Sequence, residues 1–571
     1  NTAYVRSFDA FTDIPNQTVT YYPKNNVDTS VPVEDQDTPP LKDPSNVYIK
    51  NVTMAKTADT SVNETGVNEL QTQATIGETI TYTYSVTIPA KSTVYQGELW
   101  DELPSGIGLV SIDDWGRDGF TDKPAGFTLN TDIGTNPTGK LTFPNPYSND
   151  TNADQVFAVK VTAKVLPAAI SCATSPCVVP PAPGTGTKLT NNAKFRSYTQ
   201  AVGGSALNRQ IGYDMEIVQP NPSVFKLVDP TQMTSADQEI NVSIPFSNSS
   251  GRPPLHDWQV KDCLPEPFEL VPGSISTVPS GLNVDNVSGC LIISGDATHT
   301  AIPAGGVPYS VAFKIKANTS LPAGQTYTNT ATLTGSSMPG DVTGERLYTT
   351  ETKATWKSPG SGIKKQTDPD TATIGERFTS KITVDIAKNL NYYSAGVVDT
   401  LPAGVNPASV QLVGITCKNA DTTACGIGGT PLTPSGQKIG WSFGDILAAS
   451  QHRTVTIEYT AVVADVVGNK AGGKLTNSAK PYWSPTQLPN PPTTIAGFEA
   501  LPGTTNPVSD TVTIVEPDLT IAKTVNDLET ISANPDDTFT YSIEVTNGSG
   551  VNVSTAYNID ITDTLPPHVE V

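Results

Sequence analysis

The chain has 571 residues, with 56 acidic against 35 basic side chains and a formal charge of −21, which argues against nucleic acid as a partner. At roughly 100 to 200 residues per domain, one hydrophobic core cannot serve such a length, and about three to five modules are expected. Only 16% of residues are charged while Pro and Gly number 48 and 45, a composition suited to short strands joined by many turns and not to long helices.

The chain opens on Asn1-Thr2-Ala3-Tyr4-Val5, an element that recurs later, so residues 1–50 read as the C-terminal end of a preceding repeat. Lys56 follows on a strand. The alternating stretch Ile80, Tyr82, Tyr84, Val86 and Ile88 then has a period of two, which predicts a half-buried β-strand. Asp-x-Leu-Pro begins at Asp101, a second alternating strand runs through Phe157, Val159, Val161, Ala163 and Val165, and Leu189-Thr190-Asn191-Asn192-Ala193 comes last. The same order returns with Lys226, Asp262 and Tyr327-Thr328-Asn329-Thr330-Ala331, and again with Lys365, Asp399 and Leu475-Thr476-Asn477-Ser478-Ala479. Lys523 and Asp563 start it a fourth time, 40 residues apart beside 45, 36 and 34 in the others. This recurrence divides the chain into repeat 1 over 51–222, repeat 2 over 223–361, repeat 3 over 362–517 and the N-terminal part of repeat 4 over 518–571. Both ends then fall inside a repeat, as expected of a window from a longer array. Completion of the last unit by a strand from a neighbouring copy is the alternative.

Strands with one apolar face, about seven to a repeat, are satisfied by two antiparallel sheets packed face to face. The expected fold is all-β, tandem Ig-like antiparallel β-sandwich domains in an elongated array. The step Gly77-Glu78-Thr79 or Gly375-Glu376 before the alternating strand, the Asp-x-Leu-Pro and the Leu-Thr-Asn-x-Ala resemble a conserved repeat of unknown function, found in tandem in large bacterial and archaeal surface proteins. They are also similar to the isopeptide-forming domains of pilin backbones and Gram-positive adhesins. Repeat 2 departs from the pattern: Ala236-Asp237-Gln238-Glu239 replaces the Gly-Glu step, and Cys263 lies inside its Asp-x-Leu-Pro.

Counting positions modulo two places polar residues on the apolar faces. Lys56 aligns with Val52 and Met54, Lys226 with Val224 and Lys365 with Ile363. Asp101, Asp262 and Asp399 align with Leu99, Val260 and Val397, and Asn191, Asn329 and Asn477 with Leu189, Tyr327 and Leu475. Each inward polar group costs roughly 1 to 3 kcal/mol, and charges more, unless the three meet. If they meet, desolvation favours a neutral lysine amine and a protonated aspartic acid, so the amine can attack the asparagine carboxamide and expel ammonia. Resemblance to the pilin domains implies such an amide cross-link, with pairs Lys56–Asn191, Lys226–Asn329 and Lys365–Asn477. The bland alternative has lysine reaching solvent, asparagine at a sheet edge and aspartate bonding turn amides.

Six cysteines fall in three close sets: Cys172 with Cys177, Cys263 with Cys290, and Cys417 with Cys425. Of fifteen pairings, three local disulfides suit this spacing and point to an oxidising, extracytoplasmic compartment. Sequons at Asn16, Asn51, Asn63, Asn149, Asn241, Asn248, Asn286, Asn318, Asn547 and Asn552 are candidate glycan acceptors. Neither a cofactor nor a metal site is expected, because four histidines are scattered and turns such as Glu34-Asp35-Gln36-Asp37 or Asp368-Pro369-Asp370 lack calcium-loop spacing. Without Gly-x-Ser-x-Gly or His-Glu-x-x-His, no turnover of an external substrate is expected. No apolar run approaches the ~18 residues of a membrane helix, so no membrane contact is expected within this segment.

The expected function is that of an extracellular structural repeat protein at a prokaryotic cell surface, forming the stalk, fibre or sheath of an appendage or surface layer. Its partners would be other copies of itself, or neighbouring repeats, end to end. The alternative is an adhesin whose modules bind host or neighbour-cell ligands. Six tryptophans spread over three repeats favour core use over a ligand-binding cluster.

Overall fold

The computed structural model describes residues 51–64, 66–132, 137–171, 187–276, 278–305 and 308–571. It also gives the backbone of five short strands, Thr2–Val5, Phe8–Phe11, Thr18–Tyr21, Leu41–Pro44 and Cys177–Val178. Contacts divide the chain into two compact units. One comprises Asn1–Ala173, Ala182–Gln219 and Asp341–Arg346; the other comprises Thr174–Pro181, Pro220–Gly340 and Leu347–Val571.

The first unit holds one β-sandwich. Its first sheet sets Thr53–Thr60, Thr79–Ile88, Gln155–Val165 and Ile107–Arg117 side by side, all antiparallel. The second runs Thr128–Leu129, Thr138–Thr142, Ser92–Glu102, Thr187–Tyr198, Ala206–Val218 and Gln73–Thr75, with a short parallel pairing at its last edge. Alternation decides the layers. Ile80, Tyr82, Tyr84, Val86 and Ile88, together with Phe157, Val159, Val161, Ala163 and Val165, are wholly buried, and they meet Leu99, Ala193, Phe195 and Met215 of the opposite sheet in one core. Burial of each larger side chain contributes about 1.5–3 kcal/mol.

The second unit holds two more sandwiches. In the first of them Pro222–Val224 and Leu227–Asp229 both pair with Ile240–Asn248, which is followed by Tyr309–Ala317 and Phe268–Leu270. The other sheet runs Leu347–Lys357, Thr326–Ser336, Leu255–Cys263, Cys290–Gly295 and Leu282–Val287. Aromatic rings bridge the two layers, Phe246 against Trp258 and Phe268 against Trp356. In the next sandwich Gly362–Asp368, Arg377–Ile386, Arg453–Val463 and Val405–Asn419 form one sheet. Its partner is built on Val508–Ile514, Lys474–Ser484, Leu390–Thr400 and Lys438–Ile446, and Trp441 reaches Tyr459 across the core. Leu519–Val525 then pairs with Tyr541–Asn547. The fold is all-β, as the alternation predicts; the one described α-helix is the five-residue turn Ile495–Glu499, capped by Thr494.

The Gly-Glu step has a local cause. Gly77 and Gly375 take φ of +93° and +84°, backbone that glycine adopts without strain. Glu78 then turns inward, and its carboxylate accepts from the amides of Val62 at 2.8 Å and Thr75 at 2.9 Å. In repeat 2, which lacks the glycine, the Gln238 amide oxygen accepts from Thr234 N at 2.6 Å and holds the corresponding turn.

One strand escapes periodicity. Each asparagine-bearing strand is followed by a further strand of the same sheet: Ala206–Val218, Leu347–Lys357 or Val508–Ile514. In Ala206–Val218 only the second half carries buried positions, its first half being exposed. The asparagine strand is therefore not the last of its repeat; in repeat 3 the short strand Gly503–Thr504 follows it as well. Cys263 and Cys290 stand directly opposite each other and are bonded, as are Cys417 and Cys425. Cys172, the Cys177 side chain, Asn16 and the Glu34–Asp37 turn lie outside the described residues. Trp258, Trp356, Trp441 and Trp483 are buried, and Trp100 and Trp115 half-buried.

Candidate functional site

In repeat 1, Lys56 stands on the edge strand of the first sheet, whereas Asp101 and Asn191 stand on adjacent strands of the second. Asp101 lies opposite Ala193, which puts Asn191 two residues along on the same face. The lysine has to cross the core to reach them, and it does so. Lys56 Nζ donates to Asp101 Oδ1, Asn191 Nδ2 donates to Asp101 Oδ2 at 2.9 Å, and the side chains of Lys56 and Asp101 have no solvent exposure. Two aromatic rings wall the amine, Tyr82 at 5.0 Å and Tyr84 at 5.8 Å. Burial pushes the Lys56 amine down to about 8 and the Asp101 carboxyl up, against the attraction of each for the other.

Repeat 2 repeats the Lys–Asp contact on a broken strand. Lys226 falls between the two short strands that share one partner, and its amine donates to Asp262 with neither side chain exposed. Asp262 is opposite Ala331, so Asn329 again lies two residues along. Burial lowers the Lys226 amine and raises the Asp262 carboxyl. In repeat 3, Lys365 Nζ donates to Asp399 Oδ2 at 2.7 Å, and Asp399 is opposite Ala479, two residues from Asn477. Burial lowers the Lys365 amine too.

A fourth group joins here that periodicity does not reveal. The Tyr459 hydroxyl donates to Asp399 Oδ2 and accepts from Asn477 Nδ2 at 2.7 Å and from Lys365 Nζ at 3.3 Å. Tyr459 lies among the inward aliphatic residues Val455, Ile457 and Ala461, and a hydroxyl in that company was the signal available in the sequence.

Each described sandwich thus brings together the predicted lysine, aspartate and asparagine. In all three the asparagine Oδ1 is buried and, among the described residues, has no hydrogen-bond partner; Oδ1 of Asp262 and of Asp399 are orphaned likewise. In repeats 1 and 2, where burial raises the carboxyls of Asp101 and Asp262, the protonated acid would donate to such an amide oxygen.

The fourth pair differs. Lys523 Nζ and Asp563 Oδ1 are 2.5 Å apart, yet their side chains are 36% and 30% exposed. Partly solvated pairs of this kind contribute about 0–1 kcal/mol, so Lys523→Ala should shift stability by less than about 1 kcal/mol in a denaturant titration.

Two of the sequons need correction. Asn149 and Asn248 are buried, and their Nδ2 groups donate to backbone carbonyls, Ile88 O at 3.0 Å and Pro253 O at 2.8 Å, which leaves no nitrogen for a glycan in the folded chain. Asn51, Asn63, Asn241, Asn286, Asn318 and Asn547 are exposed and Asn552 half-buried. Among the described residues no cluster of His, Cys, Asp and Glu converges as a metal site would, and no helix is long and apolar enough to cross a membrane.

No protein-family model matches the chain, and no curated protein matches it. Solved structures do. It is similar to BcpA, the major pilin subunit of Bacillus cereus, at 9% identity over 73% of this chain and 97% of that one, with a TM-score of 0.21. A two-domain piece of the major pilin SpaD from Corynebacterium diphtheriae is 11% identical over 52% of this chain and 88% of its own, TM-score 0.19. The collagen-binding subdomain of the Enterococcus faecalis surface protein ACE is 14% identical over 27% of this chain and 94% of its own, TM-score 0.16. At such scores the strand pairings described above carry the fold assignment by themselves.

Proposed function

We infer that this chain is a structural protein of a prokaryotic cell surface, a run of β-sandwiches whose repeats are each locked by an amide between the lysine at the start of the repeat and the asparagine of a late strand. The observation that carries this reading is the threefold recurrence of a buried Lys–Asp–Asn cluster spanning the two sheets. Neutral amine and carboxylic acid are the forms that burial favours, which makes the amine nucleophilic and the acid a donor to the carboxamide. Attack of Nζ on Cγ, with loss of ammonia, gives the link. Tension applied along a repeat would then meet a covalent bridge instead of a ladder of hydrogen bonds. The repeats are taken as 51–222, 223–361 and 362–517, with a fourth starting at 518.

The remaining assignments follow from that role: an extracellular location, copies of the chain or neighbouring repeats as end-to-end partners, and no turnover of an external substrate. An adhesin would call for an exposed aromatic cluster, whereas among the described residues the exposed rings Phe225 and Tyr557 belong to different repeats. Intact mass of the full chain decides the matter. The expected result is a deficit of one ammonia per repeat, with linked Lys–Asn peptides after digestion; a full-length mass with no deficit would end the reading.

Repeat 1 adds a pH dependence. Because burial holds the Lys56 amine near 8, the fraction of neutral amine rises as pH rises through that value. The reaction also needs a protonated Asp101, which rising pH removes, so in chain sampled soon after synthesis the rate of the Lys56–Asn191 link should follow a bell-shaped pH profile, falling where both groups are protonated and where both are deprotonated. A rate that climbs steadily with pH would contradict the assignment of Asp101 as the acid.

A further inference from the structure

The inference rests on the cross-linking reading and names a further participant. Joining Lys365 to Asn477 forms the Nζ–Cγ bond and breaks the Cγ–Nδ2 bond. The attacking amine must shed one proton and the leaving nitrogen must gain one before it departs as ammonia. Nothing is oxidised or reduced, and no co-reactant is consumed. The unsolved part is the path of that proton, since the site is closed to solvent.

We propose that the Tyr459 hydroxyl is the proton relay of the third repeat, taking a proton from Lys365 Nζ as it passes its own to Asn477 Nδ2. Its Oη lies 3.3 Å from the first nitrogen and 2.7 Å from the second; its proton rests on the bond to Asp399 and turns to Nδ2 for the transfer. Tyr459 touches both reacting nitrogens and is a catalytic residue in that sense. In the resting state it accepts from Nδ2, because an amide nitrogen has no available lone pair. Once Nζ has added to Cγ, that nitrogen becomes basic and the hydroxyl can donate to it. Relay in a closed site requires a neutral phenol, and burial keeps the Tyr459 hydroxyl protonated far above its usual range.

The second repeat supplies an independent comparison. Tyr459 pairs with Ser380 on the neighbouring strand, and at the corresponding pairing Phe313 lies opposite Val242. Lys226 Nζ sits 5.8 Å from the Phe313 ring, close to the 5.4 Å of Lys365 from Tyr459, so the rings are placed alike and differ by one oxygen. Where that oxygen is missing, Nδ2 and Oδ1 of Asn329 are both buried without a hydrogen-bond partner among the described residues. In the first repeat, Val161 occupies the position and its pairing partner Tyr82 carries the hydroxyl, buried without a hydrogen-bond partner among the described residues. Repeat 3 thus has a fully engaged hydroxyl, repeat 1 an unpaired one on the paired strand, and repeat 2 a phenyl ring at the Tyr459 position.

The test follows formation of each link in the full chain, sampled at intervals after cell-free synthesis and read by mass spectrometry of digested peptides. General acid–base groups contribute about 10²–10⁴-fold, so Tyr459→Phe should slow the Lys365–Asn477 link by at least about a hundredfold and leave the Lys56–Asn191 link unchanged. Phe313→Tyr should accelerate the Lys226–Asn329 link. If wild-type chain forms the third link and Tyr459→Phe forms it at the same rate, the relay is overturned while cross-linking stands. If wild-type chain forms no link in any repeat, the cross-linking reading falls and the relay with it. Should Tyr459→Phe fail to fold by near-ultraviolet dichroism, Phe313→Tyr decides: no acceleration of the second link overturns the proposal.

Discussion

Replacing the buried pair of the third repeat, Lys365→Met with Asp399→Val, should lower the melting temperature of that repeat by about 10–20 °C. A link between Lys365 and Asn477 closes a loop of about 110 residues, and in the chain-entropy account closing a loop of that size removes about 5 kcal/mol of freedom from the unfolded state. For a module of this size each kcal/mol moves the midpoint by roughly 2–4 °C. The sign of the change is the informative part. If the lysine and aspartate formed only an ion pair, apolar side chains of similar volume would be neutral or stabilising, because desolvating two charges offsets most of their attraction. Both side chains are wholly buried, so that offset applies in full. Differential scanning calorimetry of the full chain distinguishes the outcomes: a transition moved down supports the covalent tie, and one unmoved or moved up leaves only a buried pair.

Much of this was legible in the residues. Ile80 to Ile88 and Phe157 to Val165 alternate without interruption, and a period of two can mean only one buried face, which the sandwich supplies. The same count placed Lys56, Asp101 and Asn191 inward. It could not tell which sheet each belongs to, because parity fixes a face and carries no information about the partner layer. That lysine lies across the core from aspartate and asparagine, and that each aspartate faces the alanine two places after the asparagine, are long-range facts of register. Tyr459 was hidden for a related reason: tyrosine is an ordinary core residue of a strand, and only the neighbouring layer shows what its hydroxyl meets. Asn149 and Asn248 illustrate the opposite limit. Their sequon triplets are local patterns, whereas the carbonyls that consume their amides lie on other segments of the fold, at Ile88 and at Pro253.

Asp101→Ala in the first repeat isolates the electrostatic half of the design. It removes the carboxylate that raises the Lys56 amine and leaves the amine in the same dry core, where a lone charge costs about 3–5 kcal/mol. Neither Asp101→Ala nor the double variant Lys56→Met/Asp101→Ala can form the link, so their difference excludes the covalent term. The double variant should be the more stable by about 3–5 kcal/mol at pH 7, the amine being forced either to stay charged in the core or to give up its proton. The pH dependence follows from the direction of the shift. The folded amine binds a proton less readily than the unfolded one, whose pKa is 10.5, so the unfolded state carries more protons between the two values and stability rises with pH there. The gap between the variants should therefore close by about 1.4 kcal/mol per pH unit on the alkaline side and vanish near the unfolded pKa. Urea titrations at pH 7, 8 and 9 measure it. A gap that stays constant would mean that Lys56 reaches solvent in the variant, and that the first strand yields before the core accepts a neutral amine.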